Sequence, residues 1–212
     1  EKDQLYKMWN QDGGKYIVRM FTSKDCINWS MPVNCYWDNG EQVLCGSSVV
    51  IDDDEPDPNK RYKAIILNND KNRSVATYNY CTSADGIVWT LQETGPHGRD
   101  VHSLAYDAVN DEYILTYKQS SRSTDNVQDK RIHRVAVSKD LYNWSPAVRQ
   151  YTVDAPDDNI MEGVLRTDGY GNGVYALGDS YVSMNWRLLL QDSDSYNGEL
   201  DNNMLFSRDL TE

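Results

Sequence analysis

One motif returns four times and constrains what this chain can become. Ser83-Ala84-Asp85-Gly86-Ile87-Val88-Trp89 recurs as Ser23-Lys24-Asp25-Cys26-Ile27-Asn28-Trp29 and as Ser138-Lys139-Asp140-Leu141-Tyr142-Asn143-Trp144. A fourth copy, Ser207-Arg208-Asp209-Leu210, runs off the C-terminus before its Trp. Self-similarity at a spacing of roughly 55–70 residues marks a repeat architecture. The motif has a local mechanism. Ser and Asp oxygens accept hydrogen bonds from nearby backbone N–H groups, and Gly86 supplies a positive φ, so the segment predicts a tight turn. The Trp leads a short strand and can lay its ring against the unit's core. Each copy follows a β-rich run (Tyr16–Phe21, Val75–Tyr80, Arg134–Val137), giving strand, turn, strand. The Asp residues of the motif are turn builders and are assigned no catalysis.

A second feature precedes each turn: a strand, an acidic or Gly-rich turn, then a strand carrying Tyr. The copies are Asp57–Ile66, Asp107–Leu115 and Asp168–Leu177, where Pro, Asn, Gly and Asp read as hairpin chemistry. The unit therefore has four strands, Gly46–Ile51, Tyr62–Leu67, Ser74–Thr82 and Ile87–Gln92. The next units open near Asp100 and Met161. Antiparallel four-stranded units whose neighbours bury each other's faces predict an all-β fold, a β-propeller with about four blades visible, over a β-sandwich. Leu5–Trp9 matches a second strand and the C-terminus falls after a third. Residues 1–212 are therefore expected to be a single propeller domain truncated at both ends. Gln119–Lys130 and Asp192–Gly198 read as connecting loops, and Asp52–Asp57 as a solvated acidic loop without EF-hand spacing.

Composition excludes several partners. With 21 basic and 33 acidic residues the net charge is −12, against nucleic acid and against anionic membrane surfaces. No apolar run nears the ~18–20 residues of a membrane-spanning helix, and no signal peptide is visible. The aromatic residues are mostly Tyr (15) and Trp (6), flat apolar faces with a polar handle that suit sugars as well as sheets. Cys26, Cys35, Cys45 and Cys81 lack zinc spacing. They read as packing residues, with a Cys26–Cys35 disulfide as the alternative. Of the Asn-x-Ser sequons at Asn28, Asn72 and Asn143, two are by-products of the repeat.

In a propeller the starts of the innermost strands face one axial funnel. Charged groups there are not needed by the fold. The candidates are Arg99, Asp100 and His102 before one inner strand and Glu162 before another, with Ser47 and Ser48 at the start of a third. Asp100 can also be read as a turn residue after Gly98, Glu162 as an ion-pair partner of Arg166, and His102 as a structural hydrogen-bonded histidine. Trp9, Trp37 and Trp186 are the candidate sugar-stacking rings, with core packing favoured for Trp9.

The Ser-x-Asp-x-x-x-Trp turns, Arg61-Tyr62-Lys63, Arg99-Asp100 and Glu162 together resemble the five-bladed propeller glycoside hydrolases, families 32 and 43 and their relatives. The resemblance implies that carboxylates share the funnel. Asp100 looks like the one that stabilises the transition state and Glu162 like the general acid. Arg99 would bind substrate hydroxyls or hold Asp100 ionised, and His102, Ser47, Ser48 and Trp186 would contact the sugar. The family's nucleophile or base would fall before residue 1. The family's Pro after Arg-Asp is Val101 here, and Gly163 follows Glu162. No cofactor is implied. A funnel calcium or water near His102 is what some relatives hold. The expected partner is a carbohydrate substrate, and the expected location extracellular or periplasmic. The competing readings are a non-catalytic carbohydrate-binding propeller, a sialidase-like enzyme, and a glycoside phosphorylase of the family 130 type using Arg99, Arg122 and Arg131.

Overall fold

The computed structural model describes residues 4–44, 47–69, 76–97, 100–120, 130–150, 161–191 and 197–210. Two compact units follow each other, Glu1–Asp100 and Val101–Glu212, and each is taken by itself. Among the described residues only a 3-10 turn at Pro58–Lys60 is helical, and no helix is long and apolar enough to cross a membrane.

In the first unit, β1 (Tyr6–Gln11), β2 (Val18–Ser23) and β3 (Val33–Asn34) make one antiparallel sheet. After the two-residue β4 (Tyr36–Trp37), strands β5 (Ser47–Ile51), β6 (Tyr62–Asn69), β7 (Ala76–Ser83) and β8 (Val88–His97) form a four-stranded meander. The short β4 lies parallel on the edge of β8. Alternation decides what is buried. Val18 and Met20 of β2, Tyr62, Ala64 and Ile66 of β6, Cys81 of β7 and Trp89 of β8 form the core, with Trp9 and Trp37 packed against it. Core packing at Trp9 is thus observed. Its indole donates to Gly86 O at 2.8 Å and its ring meets Tyr62 edge-on, 6.0 Å between centroids. Cys26, Cys35 and Cys81 are free thiols, so the Cys26–Cys35 disulfide is not formed; Cys45 lies outside the described residues. The acidic loop is tied down by ion pairs: Lys63 holds Asp52 (2.5 Å) and Glu55 (2.8 Å), and Arg61 holds Asp53 (2.7 Å).

The second unit carries β9 (His102–Asp107), β10 (Glu112–Ser120), β11 (Arg131–Ser138) and β12 (Val148–Arg149) in one meander. A second comprises β13 (Arg166–Leu177), β14 (Ser180–Leu190) and β15 (Gly198–Ser207). The hairpin expectation at Asp107 holds. Its buried carboxylate accepts the N–H groups of Val109 (2.9 Å) and Asn110 (3.1 Å) and the Tyr181 hydroxyl (2.7 Å). The expectation at Asp168–Gly173 does not hold. That stretch is the interior of β13, with a bulge between Gly169 and Gly171, and the chain reverses at Gly178-Asp179. The glycines serve close approach instead of turning. A Cβ on Gly169 would come within 3.0 Å of His133 Cε1, and one on Gly171 within 2.6 Å of the Trp186 ring.

The repeated turn forms as the residues dictate. Asp25 Oδ1 accepts from Ile27 N (2.9 Å) and Asn28 N (2.7 Å), Asp85 Oδ1 from Ile87 N (2.7 Å) and Val88 N (2.9 Å), and Asp140 Oδ1 from Tyr142 N (2.8 Å) and Asn143 N (2.7 Å). These bonds stabilise the carboxylates. The Asn143 N–H, followed by the Asn143 amide and the Tyr142 N–H, lowers Asp140 to about 2. The left-handed residue is Gly86 (φ 81°) in one copy, while Cys26 (φ 60°) and Leu141 (φ 66°) take that conformation in the others. The Trp varies too. Trp89 enters the core, whereas Trp29 and Trp144 turn their indoles back onto their own turns, donating to Cys26 O (3.2 Å) and Leu141 O (3.1 Å).

Candidate functional site

In the second unit β13 lies along β9 and runs the same way: Gly171 faces Val101 and Gly173 faces Ser103. Both inner strands therefore begin at one end. At that end β10 finishes, with Lys118 N bonded to Val101 O at 3.0 Å, and β11 starts. Antiparallel pairing thus gathers residues far apart in the chain: His102, Lys118, Arg131, His133, Arg166, Asp168, and the leader that carries Glu162.

Glu162 is exposed in a turn in which Gly163 has φ 85° and Val164 N bonds to Met161 O at 3.3 Å. Leu165 N then bonds to Leu190 O at 2.8 Å and moors the leader to β14. Arg166 pairs with Asp168 (3.1 Å) on its own strand, and among the described residues no ion pair joins it to Glu162. His102, half-buried, opens β9 opposite Tyr117. Trp186 lies on β14 between Gly171 and Asn202, 44% exposed, with its ring against Gly171. Asp100 is exposed, one residue before Val101. Ser48 is half-buried in β5 opposite Ile65. Ser47 opens the same strand opposite Ile66, its side chain outside the description. Arg99 and Arg122 lie outside the described residues. Among the described residues no group of three His, Cys, Asp or Glu side chains is placed to hold a metal ion.

Behind the exposed groups sits a buried polar cluster that the motifs did not announce. Asp168, its side chain 1% exposed, takes Arg131 at 2.6 Å and Arg166 at 3.1 Å. A carboxylate so deeply buried is stable only with paired cations. Lys118 Nζ stands 4.0 Å from the centroid of the Tyr170 ring, and Arg131 Cζ 5.6 Å. His133, 1% exposed, pairs across the hairpin with Lys118. Burial, and then the Lys118 charge, push its pKa down from 6.5 to about 4, so its imidazole is neutral near pH 7. The sequence signal for this cluster was a histidine inside an otherwise strand-like run, Arg131 to Val137. Its meaning depended on partners across the hairpin and on β13. The cluster anchors the starts of β11 and β13 to each other, and so fixes the base from which Glu162 projects.

No protein-family model matches the sequence, and no curated protein matches it. Solved structures do. An α-L-arabinanase of Penicillium chrysogenum complexed with arabinobiose is 14% identical and superposes with a TM-score of 0.56 over 97% of this chain and 63% of that one. The GH93 α-L-arabinofuranosidase of Fusarium graminearum complexed with arabinobiose is 12% identical, TM-score 0.58, over 99% and 64%. A glycosyl hydrolase from Bacteroides ovatus is 12% identical, TM-score 0.59, over 95% and 61%. The chain thus spans a little under two thirds of the length of these structures. The fold is all-β, its antiparallel sheets are blades of the propeller type, and the proteins it is similar to in fold are β-propeller glycoside hydrolases.

Proposed function

We propose that this chain is part of a larger, five-bladed propeller related to families 32 and 43. In this reading the protein hydrolyses glycosidic bonds of oligo- or polysaccharides by carboxylate acid/base catalysis. Glu162 acts as the general acid, and Asp100 stabilises the positive charge that develops on the sugar. Arg99, His102, Ser47, Ser48 and Trp186 contact the substrate. The observation that carries the reading is the exposed Glu162 on a moored turn, at the end of the second unit where both inner strands begin. No fold requirement accounts for a carboxylate at that place, and a proton donor to a leaving oxygen must be reachable by substrate. Arabinose-containing glycans are the first substrates to try, because two structures of the same fold were solved with arabinobiose. The nucleophile or base would come from outside residues 1–212. In this reading, polysaccharide chemistry would put the protein in an extracellular or periplasmic space.

The test is hydrolysis by the complete protein of arabinan, arabino-oligosaccharides and a panel of other polysaccharides, with Glu162→Gln and Asp100→Asn beside it. The reading expects turnover that Glu162→Gln lowers by about 100-fold or more, the usual weight of an acid/base group, and that Asp100→Asn lowers too. Turnover that survives Glu162→Gln intact removes Glu162 from the acid role. Saturable binding of the glycans without turnover would favour the non-catalytic carbohydrate-binding reading.

A further inference from the structure

His133 has no place in the catalysis proposed above, and its surroundings are unusual. It sits mid-strand in β11 at 1% exposure, and neither ring nitrogen has a hydrogen-bond partner among the described residues. A buried imidazole normally donates from one nitrogen and accepts at the other. From β13 the ring is closed in by Gly169, where even a methyl group would stand 3.0 Å from Cε1. From β10 it faces Lys118, and Arg131 shares its strand, with Lys130 just before it. On β13 the charged groups are Arg166 and Asp168, with Asp168 already committed to Arg131 and Arg166, and Tyr170 lies under Lys118. Towards the outer edge, β12 contributes Arg149 opposite Arg134, followed by Gln150, whose N–H bonds to His133 O at 3.1 Å. Cations dominate the described charged groups of this environment, and the carboxylate within it is already held by two of them.

We propose that His133 is an acid-sensitive latch of the seam between β9–β12 and β13–β15, closed while the imidazole is neutral and loosened when it takes a proton. A proton on the ring would add a buried charge beside Lys118 and Arg131 with no acceptor among the described residues for its N–H groups. The ring can accept it in water only by leaving Gly169, which opens the seam at the end where β13 begins. The consequence is conformational: in mild acid the start of β13 loses its packing against β11. This holds whether or not the protein cleaves sugars.

The sign follows from linkage. The unfolded chain binds a proton at His133 near pH 6.5, while the folded protein resists it until about pH 4. Stability is therefore fully present above pH 6.5 and falls as pH drops towards 4. The motif carboxylates titrate below this window, since Asp25, Asp85 and Asp140 are all lowered from 3.8. Unfolding by urea between pH 7.5 and 4.5 should show the folding equilibrium constant of the second unit falling about tenfold per pH unit below 6.5. With His133→Phe that slope should be flat, and with His102→Gln it should persist. An unchanged slope in His133→Phe overturns the proposal. Should His133→Phe not fold, imidazole NMR of the unsubstituted chain decides. A His133 ring still neutral at pH 5 supports the latch, and one titrating near 6.5 with the fold intact overturns it.

Discussion

In the first unit the two sheets meet through apolar and aromatic groups: Val18, Met20, Tyr62, Ala64, Ile66, Cys81 and Trp89, with Trp9 reaching across to Gly86. Two thiols are buried there, and burial pushes Cys35 up to about 11 and Cys81 higher still, so neither ionises at ordinary pH. The second unit builds the same kind of seam in two halves. One half is apolar, Ile114, Val135 and Val174 with Ala105, Val137, Tyr181 and Leu210. The other is Lys118, Arg131, His133, Asp168 and Tyr170, at the end where the inner strands begin. Antiparallel meanders and the Ser-x-Asp turn are shared, and the two seams differ in the side chains they bury. An apolar seam does not depend on the charge state of its side chains. A seam that is half polar depends on exact charge states and positions the leader that carries Glu162.

The largest effect that would sharpen this contrast is Trp89→Ala. Trp89 is 1% exposed at the centre of the first unit, and truncating so large a buried ring costs about 3–5 kcal/mol. Thermal unfolding should fall steeply for that unit, with the loss the same at pH 5 and pH 7. Next comes Asp168→Asn. Removing the charge leaves Arg131 and Arg166 without their buried anion, a loss of about 3 kcal/mol. A calorimetric scan should show the second unit weakened and its mild-acid sensitivity retained. A pH-independent loss equal to that of Trp89→Ala would erase the distinction between the seams. The smallest effect is expected at Asp140→Ala, on an exposed turn that either seam could share. Asp140 is lowered to about 2 from 3.8, so its contribution is present above pH 3.8 and is lost as pH falls through 2. The variant should lose a little stability at neutral pH and show a shallower decline below pH 3.8, read by unfolding across that range.

The strands and the repeated turns were legible because their causes are local. Ser83, Asp85 and Gly86 contain the whole recipe for their turn within a few residues, and the alternation of β6 and β7 announces a buried face. Gly169, Gly171 and Gly173 misled for the opposite reason. Gly169 and Gly171 let His133, Trp186 and Val101 come close, and those neighbours lie elsewhere in the chain. His133 and Asp168 escaped notice likewise, since a histidine in a strand acquires its meaning only from Lys118 across the hairpin and Gly169 on the next sheet. Of the residues assigned to the site in advance, Glu162 and Asp100 are exposed and His102 opens its inner strand, while Arg99 lies outside the described residues.

The account turns on Glu162 as the proton donor to a leaving oxygen. The most direct measurement compares Glu162→Ala with the unsubstituted complete protein on two arabinosides, one with a sugar leaving group that needs protonation and one with a dinitrophenolate that does not. The account predicts that kcat/KM falls by about 100-fold or more on the first and changes little on the second. Equal rates for the two proteins on the sugar substrate would contradict it.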